Sequence, residues 1–121
     1  LLAYGFLREV FEVFERHTHI FNPLESVIVT EKIHGTSARY CFEDGRMRAG
    51  SRVVWKKQDK DNVYWKPVAK YPGLEKFCQE NQDCIVYGEV YGYVQDLHYG
   101  LGKGQVALAI FWGSPVDSST L

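Results

Sequence analysis

Three short runs rich in β-branched and aromatic residues constrain the fold of this chain more than any other feature. They cover residues 26–33 (SVIVTEKI), 85–91 (IVYGEVY) and 105–111 (QVALAIF). Residues of these types favour β-strands. Strands that do not alternate regularly with helices are typical of antiparallel sheets. The sequence therefore predicts an α+β fold, a mainly antiparallel sheet with peripheral helices.

Shorter elements are predicted around these strands. Strands at residues 39–42 and 46–49 flank Glu43-Asp44-Gly45, and Asp-Gly between two strands is a strong signal for a hairpin turn. Apolar residues at helical spacing predict a helix over residues 1–16. A short helix is expected within residues 62–70, and Pro72 suits the start of a helix that ends near Asn81.

Length and composition bound the classes of function. A chain of 121 residues fits one domain, 1–121, and its polar, proline-containing end predicts an irregular tail over residues 113–121. The formal net charge of −1 means that contact with nucleic acid must come from a local basic patch. No apolar run approaches the about 20 residues of a membrane span, so no membrane partner is expected.

Cysteine and histidine spacing gives no sign of a metal site. Cys41, Cys78 and Cys84 are odd in number and lack a metal-ligand spacing, which predicts reduced thiols in a cytoplasmic protein. His17 and His19 have no neighbouring carboxylate or cysteine cluster. The sequence therefore predicts no metal ligand set of its own.

Lys32 is the first candidate for chemistry. It ends the first predicted strand, which would hold its backbone, and Gly35 allows a turn or a close approach. A free lysine has a pKa near 10.4, and desolvation or nearby positive charge makes its amine nucleophilic. Arg39 and Arg52 are candidate sources of that charge. A surface lysine near a turn is the alternative interpretation.

Alternation in the first strand would separate the neighbours of Lys32. Glu31 would share a face with Val27 and Val29, whereas Thr30 would lie on the face of Lys32. A carboxylate among apolar neighbours is costly unless it has a partner. The pattern therefore hints at a functional role for Glu31.

Three further residues suit nucleotide binding, and each has a structural alternative. Glu89 lies between glycines and can accept hydrogen bonds from ribose hydroxyls, or it is a buried carboxylate paired with an arginine. Phe111 follows two small residues, Ala107 and Ala109, which leaves room for a flat ligand, or it packs in the core. Arg52 can grip a phosphate, or it forms a surface ion pair.

Four segments resemble, in order, the motifs of covalent nucleotidyltransferases, and among these the ATP-dependent RNA ligase family. Residues 31–36 (EKIHGT) are similar to the first motif, E-K-x-[DH]-G-T, and the histidine favours RNA ligases over DNA ligases. Residues 50–52 (GSR), 87–92 (YGEVYG) and 109–111 (AIF) are similar to later motifs. The order and spacing agree from about residue 26 to residue 112.

The resemblance implies the N-terminal part of a nucleotidyltransferase adenylation domain of the ATP-grasp-like ligase type. It implies that Lys32 attacks ATP, with Mg²⁺ present, to form lysyl-AMP, and that AMP then passes to a 5′-phosphate of RNA for strand joining. Glu31 would read the adenine, Arg52 would contact phosphate or ribose, and Glu89 would bind the ribose while Phe111 stacks on the base. The implied nucleotide-binding residues are Thr30, Glu31, Ser37, Arg39, Arg52, Glu89 and Phe111.

This chain departs from the family pattern at several points. Ser37 stands where asparagine is usual, and Trp112 stands where aspartate usually follows Phe111. Two later motifs, a metal-binding glutamate and a pair of lysines, have no counterpart, which predicts a truncated domain with an incomplete pocket. An oligomer would then cover an exposed sheet edge. The alternatives are a DNA ligase or capping-type nucleotidyltransferase, or a non-catalytic remnant that binds nucleotide or nucleic acid.

Overall fold

A computed structural model describes residues 22–115 of the chain, apart from the side chain of Trp112. Contacts divide the chain into two compact units, Leu1–Lys32 and Ile33–Leu121. The helix predicted over residues 1–16, His17 and His19, and the last six residues of the predicted tail lie outside the described residues. Within residues 22–115 no helix has both the length and the apolar character needed to cross a bilayer.

The second unit contains a sheet with the strand order β3-β2-β1-β4-β5, in which every described pairing is antiparallel. Two helices lie between β3 and β4 in the sequence. The predicted α+β class with a mainly antiparallel sheet is therefore confirmed. The elements are β1 (Gly35–Glu43), β2 (Arg46–Gly50), β3 (Trp55–Lys56), α1 (Lys66–Lys70), α2 (Pro72–Glu80), β4 (Cys84–Gly92) and β5 (Val106–Pro115).

Local sequence signals account for the hairpin and for the second helix. Asp44 and Gly45 have φ angles of 52° and 72°, the left-handed conformation that a two-residue type I′ turn requires. Pro72 is the first residue of α2, where its missing N–H costs no hydrogen bond. Both predictions are confirmed, whereas α1 occupies only residues 66–70 of the predicted range 62–70.

One face of the sheet packs against the helices and forms the core. Tyr40, Val86 and Val90 from the central strands are buried there, together with Leu74 and Cys78 of α2. Residues alternate between faces along a strand, so these side chains leave their sequence neighbours on the opposite face. We call the helix-packed side the core face.

The strand predicted over residues 26–33 is absent, and this prediction is wrong. Residues 26–34 have no regular secondary structure, and Ile28 and Val29 are 86% and 88% exposed. A β-branched run favours extended backbone, but a strand also needs a neighbour to receive its hydrogen bonds. No described strand pairs with this segment. The face assignments of Thr30, Glu31 and Lys32 that depended on that strand therefore do not hold.

Strand β5 is longer than predicted, since it continues past Phe111 to Pro115. Cys84 pairs with Pro115, so β4 provides a partner over this extra length. Proline lacks an N–H, and it is tolerated here at the end of an edge strand. Residues 113–115 therefore belong to the sheet and not to the predicted irregular tail. An oligomer that covers the β5 edge stays a prediction.

Candidate active site

Strand pairing places several predicted site residues on one face of the sheet. Ser37 of β1 lies opposite Glu89 of β4, and Glu89 lies opposite Ala109 of β5. Directly opposed residues of antiparallel strands project to the same side. Alternation makes this side the reverse of the core face. We call it the site face, and it carries Ser37, Arg39, Tyr87, Glu89, Tyr91, Ala107 and Ala109.

Ser37 and Glu89 contact each other at the centre of the site face. The Ser37 hydroxyl donates a hydrogen bond to Glu89 Oε2 at 3.3 Å, and both residues are half-buried. Ala109, across β5 from Glu89, is half-buried and contributes only a methyl group. Ser37 thus contacts a second predicted site residue, and the small Ala109 side chain leaves space beside the carboxylate.

The glycines next to the candidate residues make room for neighbouring strands, not for a ligand. A Cβ atom at Gly88 would lie 2.5 Å from the Ala109 carbonyl oxygen. At Gly35 a Cβ would collide with the Val90 carbonyl oxygen. Both positions therefore require glycine because the adjacent backbone passes too close for a side chain.

Phe111 is the extra residue of a β-bulge in β5. Tyr87 pairs with residue 112, while the next residue of β4, Gly88, pairs with Ile110. The ladder thus skips Phe111, whose side chain is half-buried. A bulge bends its strand and redirects side chains, and bulges are common beside active sites. Alternation up to Ala109 and the bulge that follows are consistent with the predicted placement of Phe111 on the site face.

Arg39 is a buried arginine that contacts the corner between β2 and β3. Its Nε donates a hydrogen bond to the Ser51 carbonyl oxygen at 2.8 Å, and its guanidinium lies 4.0 Å from the centre of the Trp55 ring. Only 8% of the residue is exposed. These contacts give Arg39 a role in holding the corner that carries Arg52.

Arg52 lies in the tight turn between β2 and β3. The Ser51 N–H donates to the Val54 carbonyl oxygen at 2.9 Å, and the Ser51 hydroxyl accepts the Val54 N–H at 3.1 Å. Arg52 itself is exposed. A rigid turn therefore presents a guanidinium that is accessible to a phosphate group.

The remaining predicted residues, Thr30, Glu31 and Lys32, belong to the first unit. All three are exposed and lie in the segment without regular secondary structure. Lys32 is joined to the second unit through Ile33. The approach of Lys32 to the site face stays a prediction.

Comparison with known proteins decides the family. The family model for RNA ligase matches residues 25–114. The chain belongs to the RNA ligase family. The match includes every predicted site residue from Thr30 to Phe111, and it confirms the resemblance seen in the motifs. No curated protein and no solved structure matches the chain.

Two aromatic residues of this RNA ligase family member were not predicted as part of the site. Trp55 packs on the Arg39 guanidinium, and the Tyr99 hydroxyl accepts the His34 N–H at 2.6 Å. Both contacts join segments far apart in sequence, and Tyr99 lies in a stretch that reads as a glycine-rich loop. Local pattern held no signal for either contact.

Ionisable groups within residues 22–115 of this RNA ligase family member form no cluster of three or more metal ligands. Cys41, Cys78 and Cys84 are free thiols. Burial raises the pKa of the Cys78 thiol to about 12, and burial also raises the pKa of Cys41 and Cys84. A raised pKa keeps these thiols protonated, which makes them weak nucleophiles and weak metal ligands.

Proposed function

We propose that this chain is an ATP-dependent RNA ligase that forms a covalent lysyl-AMP at Lys32. The deprotonated Nζ attacks the α-phosphorus of ATP, a P–N bond forms, and the bond from that phosphorus to the bridging oxygen breaks. Pyrophosphate leaves with the electron pair of that bond. An RNA 5′-phosphate oxygen then takes the AMP from Lys32. Finally, a 3′-hydroxyl attacks the adenylated 5′-phosphorus and releases AMP, which joins the strands.

The contact between Ser37 and Glu89 on the site face carries this proposal. The two residues come from different strands, Glu89 from the motif-like segment 87–92 and Ser37 from the position directly after the motif-like segment 31–36. A glutamate carboxylate can accept hydrogen bonds from the hydroxyls of a ribose. Because the helices pack on the core face, a nucleotide can approach this carboxylate without displacing the core.

The other residues have roles set by their chemistry. Phe111, at the bulge of β5, stacks on the adenine, and Ala109 leaves space for the base or the ribose. Arg52, exposed on its turn, pairs with a phosphate of ATP. Thr30 and Glu31, next to the nucleophile, contact the nucleotide, with Glu31 reading the adenine. Arg39 supports the site through the Ser51 corner.

Magnesium suits this site as a metal that arrives with ATP. Proteins commonly hold Mg²⁺ through one or two carboxylates together with substrate phosphates and waters, so a dedicated cluster of protein ligands is not required. Glu89 is the site-face carboxylate that we assign to this role. Bound there, the ion would neutralise charge that develops on the phosphate groups.

RNA is the favoured nucleic-acid substrate. The family match and the histidine at position 34 of the first motif support RNA over DNA. The net charge of −1 gives no general attraction to nucleic acid, so binding depends on local cations such as Arg52. We expect binding to weaken steeply as salt concentration rises.

Labelling with ATP tests the proposed function directly. The purified chain is incubated with α-labelled ATP and Mg²⁺, denatured, and separated from free nucleotide. We expect a covalent label on the wild-type chain and none on Lys32→Ala or Lys32→Arg, because neither alanine nor the guanidinium can form the phosphoramidate. Lys57→Ala, which removes an exposed lysine elsewhere, should keep the label.

The substrates used with the labelled protein separate the alternatives. A ligase transfers the label to a 5′-phosphorylated RNA strand at a nick, whereas a DNA ligase prefers the DNA nick. A capping-type enzyme would take its label from α-labelled GTP. Absence of a label on the wild-type chain, or a label that persists in Lys32→Ala, would contradict the proposed function.

A further inference from the structure

The loop between β4 and β5 reaches back to the start of β1. The His34 N–H donates to the Tyr99 hydroxyl at 2.6 Å, and Gln95 Nε2 donates to the Gly35 carbonyl oxygen at 3.4 Å. The Tyr99 ring also meets the Tyr91 ring edge to face, with centroids 5.2 Å apart. Two hydrogen bonds therefore join this loop to the point where the chain enters β1, and the ring contact joins it to β4.

The His34 N–H lies just outside the ladder of β1. Pairing between β1 and β4 begins at Gly35, so β4 offers no partner to the His34 N–H. The His34 N–H is at the solvent-exposed surface, and the Tyr99 hydroxyl provides an acceptor for it in place of water. This hydrogen bond holds the backbone at His34, one residue before β1 begins.

Tyr99 holds its position in a backbone conformation that is unusual for a bulky residue. Its φ angle is 54°, and Gly100, which follows it, has a φ of 76°. An aromatic residue pays a steric cost in this left-handed region, so the surrounding contacts must maintain it. Tyr99 and Gly100 are the central residues of a turn that the Leu101 N–H closes by donating to the His98 carbonyl oxygen at 3.0 Å, and the contacts of the Tyr99 side chain with His34 and Tyr91 add to that bond.

We propose that Tyr99 is a positioning residue for lysyl-AMP formation, because its hydroxyl fixes the backbone two residues after Lys32. This inference rests on the proposed function. Lys32 and His34 are separated by Ile33 alone, so their Cα atoms lie at most about 7 Å apart, and an ordered His34 limits the positions open to the Lys32 backbone. A displacement of about 1 Å from the attack geometry can reduce a reaction rate by roughly a hundredfold.

The same geometry separates positioning from nucleotide binding. Glu89, Phe111 and Arg52 supply the proposed contacts to ATP, whereas the Tyr99 hydroxyl bonds the backbone of His34. Loss of that hydroxyl should therefore slow the attack by Lys32 and leave the affinity for ATP unchanged. A merely structural role would instead lower thermal stability or raise KM.

Tyr99→Phe tests this proposal, because it removes the hydroxyl and keeps the ring that packs on Tyr91. We expect the adenylation rate at saturating ATP to fall roughly tenfold, with KM for ATP within twofold of wild type and the melting temperature nearly unchanged. Amide hydrogen exchange in the peptide that contains His34 should become faster. Tyr93→Phe is the matched control, since the Tyr93 ring stacks on His98 in the same loop.

An unchanged adenylation rate in Tyr99→Phe would overturn the proposal, as would a loss expressed only as a higher KM. Unchanged hydrogen exchange at His34 would show that the hydroxyl does not hold this backbone, and would overturn it as well. If the wild-type chain takes no label from ATP, the proposed function itself fails. In that case exchange at His34 still decides whether Tyr99 anchors the start of β1.

Discussion

The two faces of the sheet are built from the same strands but carry different chemistry. Glu89 and Val90 are neighbours in β4, yet Val90 is fully buried on the core face while Glu89 is half-buried and bonded to Ser37 on the site face. The core face is closed by α1 and α2. The site face carries a carboxylate, a buried guanidinium and aromatic rings. One step along the strand therefore separates residues that hold the fold from residues suited to bind a ligand.

This separation makes substitutions on the two faces separable by experiment. A change on the site face should alter adenylation with little effect on unfolding, and a change on the core face should do the reverse. Adjacent residues of one strand give the sharpest comparison, because their backbone environment is the same. If the two kinds of effect do not separate, the assignment of the faces is wrong.

Among the substitutions that compare the two faces, the largest effect is expected at Glu89. Glu89→Gln keeps the size of the side chain and removes its charge, so a ribose hydroxyl loses a charged acceptor. Hydrogen bonds to charged groups contribute about 1.5–3 kcal/mol, and about 1.4 kcal/mol corresponds to a factor of ten. We expect kcat/KM for adenylation to fall between about ten- and a hundredfold, measured with α-labelled ATP.

Stability gives the control for that variant. The free energy of unfolding of Glu89→Gln in urea should stay within about 1 kcal/mol of wild type, because the residue is only half-buried and glutamine keeps the size of the side chain and an oxygen that accepts hydrogen bonds. Glu80→Gln, at the exposed end of α2, should leave both quantities unchanged. Full adenylation activity in Glu89→Gln would show that the charge of this carboxylate does not contribute to nucleotide binding.

The second effect, at Val90, should appear in stability. Val90→Ala deletes two methyl groups from a fully buried position and leaves a cavity against the helices. Lost burial and the cavity together should lower the free energy of unfolding by about 2 kcal/mol. The adenylation rate of the folded protein should stay within about twofold of wild type. Val53→Ala, at a residue that is 82% exposed, is the matched control and should change stability by less than about 0.5 kcal/mol.

Much of the sheet was predictable because its signals are local. Alternation placed Glu89 with Tyr87 and Tyr91, and the Asp44-Gly45 pair identified the turn between β1 and β2. The alternation of side chains along a strand and the residue preferences of turns act over a few residues. They can therefore be recognised in the sequence without knowing which strand is the partner. The site face was therefore largely visible in the sequence of β4.

Features that depend on distant partners were not predictable. The segment 26–33 has the composition of a strand but no described strand pairs with it, and the bulge at Phe111 exists only relative to β4. Arg39 was predicted as a source of charge for a lysine, and its contacts with Ser51 and Trp55 at the corner between β2 and β3 were not predicted. Propensity describes what a segment can adopt, whereas pairing and packing decide what it does adopt.

The smallest effect concerns the protonation of the buried Cys78 thiol. It tests whether the core face excludes water. The pKa of Cys78 rises from 9.0 to about 12 because the thiol is buried. Below pH 9 both the folded and the unfolded thiol are protonated, so this group adds no pH dependence. Between pH 9 and pH 12 the unfolded state releases the proton more readily, which favours unfolding.

Stability should therefore fall as pH rises from 8 to 10, and Cys78 should account for at most about 1.4 kcal/mol of that loss. Urea unfolding of the wild-type chain and of Cys78→Ala at both pH values measures this share, because the variant keeps every other titrating group. Its smaller side chain lowers stability at both pH values alike, so only the difference between the two slopes matters. Equal slopes of unfolding free energy against pH in the two proteins would mean that water reaches the Cys78 thiol in the folded protein. The contrast between a dry core face and an accessible site face would then be weaker than the burial of Val90 indicates.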